Sequence, residues 1–339
     1  MDGDLINVYC VTIDTGTTNT RVKVWRDDRV VSGAFAAVGV RDTAVTGSRS
    51  KLQQGVREAL AGACAGAGIT FDEVGAIVAS GMITSNVGLH EVPHLAAPAG
   101  IGELAAGMVG AVVPEVADKP IWFIPGVKNS IGTVDIDNCE KMDIMRGEEV
   151  EVIGLIRRLG LNEPAIFILP GSHTKFIVMD DRQRIAGCLT TLAGELLSVI
   201  TNNTILANAL QNSFASSVDE QMVLKGAECA RQVGLSRACF TVRIIDQFTD
   251  CVVEEKANFL LGAMIQTDLT ALHFSKTFAV RPEMPVFITG KREMRTAFHA
   301  VLRQDNFFRG QLQPVNDEAL EDIAGYGAMT VARERGIVK

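Results

Sequence analysis

Two short runs carry the groups that phosphate chemistry needs: Asp14-Thr15-Gly16-Thr17-Thr18-Asn19 and Pro170-Gly171-Ser172-His173-Thr174-Lys175. Glycine lets the backbone come close to a phosphate, while Ser and Thr hydroxyls and exposed N–H groups donate to its oxygens. The candidate phosphate contacts are Gly16, Thr17 and Thr18 in the first run, and Gly171, Ser172, His173, Thr174 and Lys175 in the second. Asp14 could hold Mg²⁺ through water, because that ion dehydrates reluctantly. Between the two runs stands Arg146-Gly147-Glu148-Glu149, followed by a helical pattern through Val150, Ile153 and Ile156. A carboxylate at a helix start sits in the positive end of the dipole. Glu148 there could take the proton of a hydroxyl that attacks a phosphorus atom.

Each feature also has a plainer structural reading. Hairpin turns are rich in Gly, Thr and Asn for conformational reasons, and Glu is favoured in any first helical turn. His173 could be a satisfied structural histidine, and Lys175 and Arg21 could be solvated strand positions. The order of elements argues against coincidence. β-Branched or apolar runs at 6–13, 20–25 and 29–35 read as an antiparallel meander with a turn at Asp27-Asp28. A helix at 50–65 and a buried strand at 74–79 follow. The pattern returns at 165–169, 174–179 and 184–189, with a turn at Asp180-Asp181. Helices then cover much of 192–274, a strand occupies 286–288, and helices span 291–302 and 318–333. The repeat is one of element order rather than residue identity. It predicts an α/β fold of two duplicated actin/hexokinase-like domains around a central cleft. The break at Pro125-Gly126 sets expected domains of 1–128 and 129–339.

Composition removes other classes. The chain has 339 residues, 47% of them hydrophobic, and a formal charge of -8. It lacks the basic stripe of a nucleic-acid binder. The start Met1-Asp2-Gly3-Asp4 is acidic rather than leader-like, and no apolar run approaches the length of a membrane span. Seven scattered cysteines without C-x-x-C spacing fit reduced thiols. A cytoplasmic protein is expected, with no membrane or nucleic-acid partner. His90-Glu91-Val92-Pro93-His94 matches a zinc-protease string, but that motif needs a helix and Pro93 forbids one. Ser172-His173-Thr174-Lys175 matches S-x-x-K without its partner motifs. Walker A and G-x-G-x-x-G strings are both absent.

With these residues in hand, the chain resembles the 2-dehydro-3-deoxygalactonokinase family of the sugar kinase/heat-shock/actin superfamily. The resemblance rests on 13–21, on Ser80-Gly81-Met82-Ile83-Thr84-Ser85-Asn86-Val87-Gly88, on Met145-Arg146-Gly147-Glu148-Glu149 and on 169–175. Thr289-Gly290 and Tyr326-Gly327-Ala328 are similar to the superfamily's adenosine and second connecting segments. The family usually carries Trp at Thr15, Thr at Ser172, and Met-Thr-Gly-Glu at Leu192-Ala193-Gly194-Glu195. The resemblance implies ATP and Mg²⁺, and phosphorylation of 2-dehydro-3-deoxy-D-galactonate at its terminal (C6) hydroxyl. It implies Glu148 as base, and places the sugar acid and first phosphate turn in domain 1–128 and ATP in 129–339. A sugar acid would be the small-molecule partner, and a homodimer is compatible with the pattern. A carboxylate substrate needs donors, since its desolvation is costly; Arg21, Ser80, Met82, Asn86 and Arg146 are the expected substrate contacts, with Lys128 as a further cation. Another sugar kinase of this fold, or an actin-like nucleotide-binding protein without a base, are the rival readings.

Overall fold

The structure, a computed structural model, describes residues 9–338. Residues 6–8 of the expected first strand, and the acidic residues 1–4, lie outside the described residues. β1 (Tyr9–Thr15), β2 (Thr20–Arg26) and β3 (Arg29–Ala36) form the antiparallel meander. Asp27 turns the chain at φ 56°, a left-handed conformation that Asp tolerates. β4 (Val74–Gly81) runs parallel to β1 after the helix Ser50–Ala67. β5 (Leu95–Ala96) leaves this sheet, and β6 (Val109–Val113) and β7 (Ala117–Phe123) complete it in the order β3-β2-β1-β4-β7-β6. β8 (Val127–Lys128) and β9 (Ile144–Met145) join β5 in a small sheet at the junction of the halves.

The second half contains β10 (Ala165–Leu169), β11 (Thr174–Met179), β12 (Ile185–Thr191), β13 (Val286–Ile288) and β14 (Leu312–Pro314), ordered β12-β11-β10-β13-β14. Strand for strand this matches β3-β2-β1-β4-β7: an antiparallel meander whose first strand is continued on its other side by two parallel strands. Five helices occupy much of 193–274, the longest being Val253–Phe274.

β6, β7 and β14 are absent from the expectation. Gly110 and the exposed Val109 and Val112 break the burial alternation of β6 at the sheet's edge, and β14 is only three residues long. The expected helix 318–333 is two: Asp317–Leu320 and Ile323–Glu334. Asp322 separates them at φ 49°, held by an ion pair to Lys23 at 2.9 Å.

One apolar core lies between the halves. It joins Val78, Leu104 and Ile124 of the first to Phe167 and Ile177 of the second, through Ile153 and Val331 of two crossing helices. Those helices, Glu148–Leu159 and Ile323–Glu334, meet backbone to backbone. A Cβ on Gly154 would stand 2.7 Å from the Ile323 carbonyl, and one on Gly327 only 1.7 Å from that of Val150. The terminal helix also packs back on the first sheet, placing Met329 with Cys10, Trp25 and Ala76. Among the described residues, no helix is long and apolar enough to cross a membrane.

Candidate active site

The first turn is built tightly. The Gly16 amide donates to the Asn19 carbonyl at 2.9 Å, and the Thr15 and Thr20 hydroxyls meet at 3.1 Å. The helix Val40–Thr46 starts against it: the Val40 and Arg41 amides donate to the Gly16 and Thr17 carbonyls. Thr17 and Thr18 are left exposed. Asp14 stands half-buried at the end of β1, 3.4 Å from the Arg21 guanidinium directly opposite on β2. Burial raises its pKa while Arg21 pulls it down.

Gly147 starts the connecting helix at φ 114°, and its missing side chain lets that helix approach Gly81 at the end of β4. Glycine tolerates such a φ at little cost. Glu148 thereby enters a cleft of about 830 Å³ whose walls include Gly16, Thr17, Met82, Asn86 and Arg146 on one side and Gly171, Ser172, His173 and Lys175 on the other. Its Oε2 accepts the Arg146 amide at 3.0 Å. Burial raises the Glu148 pKa, with Lys175 opposing and Asp14 adding to the shift. Glu149 points the other way. It is fully buried, and both its oxygens accept the Gly147 amide at 2.8–2.9 Å. Burial and the charge of Glu148 push it up to about 8.

Glu151, one turn further along, shares the cleft. Burial, Glu148 and Asp14 push it up to about 8. Glu151 is not among the residues expected from sequence, although its spacing of three from Glu148 marks the same helix face. These raised carboxyls have a consequence for stability. A folded-state pKa raised above the unfolded value adds stability that is full below the unfolded pKa and is lost as pH rises through the folded one. The thermal midpoint is therefore expected to rise as pH falls from about 8.5 to 6.5, and Glu149→Gln should flatten that slope. Melting curves across this range check both.

Several expected contacts have their polar groups engaged by the protein itself, or lie off the cleft wall. Arg146 lines the cleft, but its guanidinium is committed: Nη1 donates to the Thr84 carbonyl (2.7 Å) and hydroxyl (2.6 Å), and Nη2 to the Val92 carbonyl (2.7 Å). Nη2 also faces His94 Nδ1 at 3.3 Å. Arg146 thus fastens the 82–94 segment to the connecting helix. Burial and the cations Arg146, Lys128 and Lys175 hold His94 down at about 4, so its ring is neutral. Residues 90–94 form no helix, as Pro93 requires. Lys175 is also buried, donating to the Ile144 carbonyl and the Thr190 hydroxyl, each at 2.5 Å. Ser80 is buried in β4 and absent from the cleft wall. Arg21 opens into a smaller recess with Asp14, Lys23 and Asp322.

The second turn separates the cleft from a pocket of about 530 Å³. Pro170, Gly171 and Ser172 border both spaces. The pocket is lined mainly by apolar side chains (Leu197, Phe214, Leu260, Leu261, Met294), with Lys291 and Glu293 at polar positions. Its size and lining suit a small ligand. Thr289 is buried behind the turn, and Gly290, at φ 83°, lies against the Pro170 carbonyl. His173 Nε2 meets Glu195 Oε1 at 3.1 Å. Thr174, however, faces inward and is buried. Beyond the turn 170–172, the lining comes from three helices (Leu197, Leu260, Leu261, Met294) and the 213–216 connection, segments far apart in sequence that carry no shared local signal.

The profile of the 2-keto-3-deoxy-galactonokinase family matches residues 14–320. The chain belongs to that family. It is therefore a sugar-acid kinase, and a kinase of this family uses ATP. The 2-dehydro-3-deoxygalactonokinase of Escherichia coli (strain K12) is 27% identical over 257 residues, 75% of this chain and 72% of that one. A Rhizobium meliloti (strain 1021) protein assigned the same name is 28% identical over 203 residues, 60% of this chain and 59% of its own length. Among solved structures, a Sinorhizobium meliloti protein assigned as a 2-dehydro-3-deoxygalactonokinase superposes with a TM-score of 0.71. It is 22% identical and covers 95% of this chain and 98% of its own, a likeness of fold. For a 2-keto-3-deoxy-galactonokinase family member, the two turns, the carboxylates between them and the adjoining apolar pocket are the candidate catalytic apparatus.

Proposed function

We propose that this kinase transfers the γ-phosphoryl group of ATP to the terminal (C6) hydroxyl of 2-dehydro-3-deoxy-D-galactonate, giving the 6-phosphate and ADP, as a cytoplasmic step of galactonate catabolism. The carrying observation is the placement of Glu148 in one cleft with both phosphate turns. In this reading the adenosine moiety occupies the apolar pocket beside Pro170 and Met294, the second turn holds the phosphates, and the first turn faces them. Thr17 donates toward the transferring group from the opposite wall. Glu148 accepts the proton of the substrate hydroxyl as its oxygen bonds to the γ-phosphorus and the bond to ADP breaks. Glu149 is unsuited to this step, because its carboxyl turns into the protein. Positioning carries most of the remaining barrier reduction.

Asp14 fits Mg²⁺. Its Oδ2 is opposite Arg21 while Oδ1 makes no hydrogen bond to a described residue. Among the described residues no cluster of three His, Cys, Asp or Glu side chains forms a cage. Mg²⁺ needs none, since it commonly uses one or two carboxylates, waters and substrate phosphates. When bound, it would neutralise charge on the phosphates. The domain division belongs to the same reading: 1–128 supplies the sugar-acid and first phosphate contacts, and 129–339 the ATP site, with the terminal helix lying back on the first sheet. A cytoplasmic setting is supported by seven free cysteines. A homodimer is supported by apolar side chains left exposed on the second half, Phe240 and Phe248 among them; sedimentation decides it.

For the sugar acid we propose Asn86 as the polar contact, beside Met82. It lines the cleft near Glu148, whereas Arg146 is committed, the Ser85 hydroxyl already donates to the Met82 carbonyl at 2.7 Å, and Arg21 lies with Asp14. Arg21→Ala is expected to leave KM for the acid within about threefold, since a lost hydrogen bond to a charged group would cost about 1.5–3 kcal/mol and shift it far more. A rise of tenfold or greater would restore Arg21 as the carboxylate's partner. The function itself is tested by coupled ADP release over a panel of sugar acids, with the phosphorylated carbon located by NMR. ADP release independent of any sugar acid would overturn it in favour of a nucleotide-binding protein without a sugar substrate.

A further inference from the structure

Four buried side-chain polar atoms among the described residues lack a hydrogen bond, and two of them stand together under the second turn: Asp268 Oδ2 and Thr191 Oγ1. Asp268 belongs to the long helix Val253–Phe274 and is 3% exposed. The alternation of β11 explains what lies above it. Phe176 and Val178 pack in the core beneath the second sheet, with Ile265 and Leu269 of that helix, while Ile177 and Met179 face the opposite core. Thr174 therefore points with Phe176 toward the helix rather than toward the cleft. Thr191 pairs with Thr174 across the β11–β12 register. The Asp268 carboxyl is pushed up to about 6 by burial, and the Thr191 and Thr174 hydroxyls beside it pull the other way.

A buried carboxylate without good hydrogen bonds is costly, and such groups in native proteins call for an explanation. Here the explanation is one of position. Thr174 ends the run Gly171-Ser172-His173, of which Gly171 and Ser172 border both the cleft and the nucleotide pocket. Thr191 ends β12, two residues before the helix Ala193–Asn203, whose Glu195 amide donates to the Ser172 carbonyl at 2.9 Å. Asp268 thus reaches both roots of the turn at once. Hydrogen bonds at catalytic sites are often loose without substrate and tighten in the complex.

We infer that Asp268 is a positioning residue for ATP: in the nucleotide complex it accepts the Thr174 and Thr191 hydroxyls from behind the second sheet and sets the second turn for the phosphates. It touches neither substrate, and the inference rests on ATP phosphates binding at that turn. Calorimetric titration of ADP tests it without any sugar acid. Asp268→Asn keeps the shape but removes the charge, so its ADP Kd is expected to rise about tenfold or more, on the strength of bonds to charged groups. KM for the sugar acid should stay within about twofold. Thr191→Val, nearly isosteric, should raise the ADP Kd in the same sense, and the double variant should lose less than the product of the two single effects, because the groups act as one unit. Unchanged ADP affinity in a folded Thr191→Val protein, or independent effects in the double variant, would overturn the inference even if Asp268→Asn failed to fold. Equal rises in Kd for ADP and KM for the acid would mark a merely structural role and also overturn it. Wild-type protein that binds no ADP would refute the nucleotide reading along with it.

Discussion

Glu148→Gln is expected to lower kcat by about 10²–10⁴-fold, the usual range for loss of a general base. ADP binding and KM for the acid should change little. The amide keeps the shape of the side chain and can still accept the Arg146 amide, which now meets Glu148 Oε2 at 3.0 Å, so the helix start should survive. What it cannot do is take a proton. The pH profile supplies a second reading of the same residue. Burial holds the Glu148 carboxyl above its ordinary range, and a base works only when ionised. In the wild type, activity should therefore fall as pH drops through that raised value, on an acid limb lying above the ordinary Glu pKa of about 4.3. The limb should vanish from the residual activity of Glu148→Gln. Near-normal turnover in the variant would remove Glu148 from the mechanism. Glu151 would then be the candidate, because it shares the cleft while Glu149 is turned away.

Gly194→Ala is expected to lower kcat/KM for ATP by about 10²-fold, the scale of an ångström-sized misplacement of catalytic groups. A Cβ at this position would stand 2.0 Å from the Gly171 carbonyl oxygen and 2.8 Å from Ser172 Cα. Both neighbours are backbone of the second turn, so no flexible side chain can yield. The turn must shift, and Gly171 and Ser172 border both the cleft and the pocket. Gly102→Ala is the control. It also lies in a helix, Ile101–Gly107, but a Cβ there meets nothing within 4 Å. That variant should keep its activity and change stability only slightly, through helix propensity of at most about 1 kcal/mol. Circular dichroism separates a displaced turn from an unfolded chain. If a folded Gly194→Ala enzyme used ATP normally, the second turn would not be the phosphate contact proposed.

Much of this site was readable from local pattern. The duplicated meander follows from β-branched runs broken by Asp-Asp turns, and β1–β3 and β10–β12 form as that pattern requires. The first turn was marked by Gly16 with its Thr neighbours, and the connecting helix by Gly147 followed by acidic residues. These signals are local because turns and helix starts depend on φ, N–H orientation and dipole over a few residues. Side-chain destination is not local. Arg146, Lys175 and Arg21 are all cations within motifs, yet each is drawn to a different partner: backbone carbonyls of the 82–94 segment, Ile144 and Thr190, and Asp14. Thr174 lies in a phosphate-like run but turns away from the cleft, because β11 parity gives that face to the helix carrying Asp268, 94 positions downstream. The nucleotide-sized pocket is assembled from segments around 170, 197, 214, 260 and 294. Motif and element order were thus determined by the sequence itself. Which polar groups face the cleft was decided by the tertiary structure, because a buried donor or charge goes to whatever partner long-range packing brings within reach.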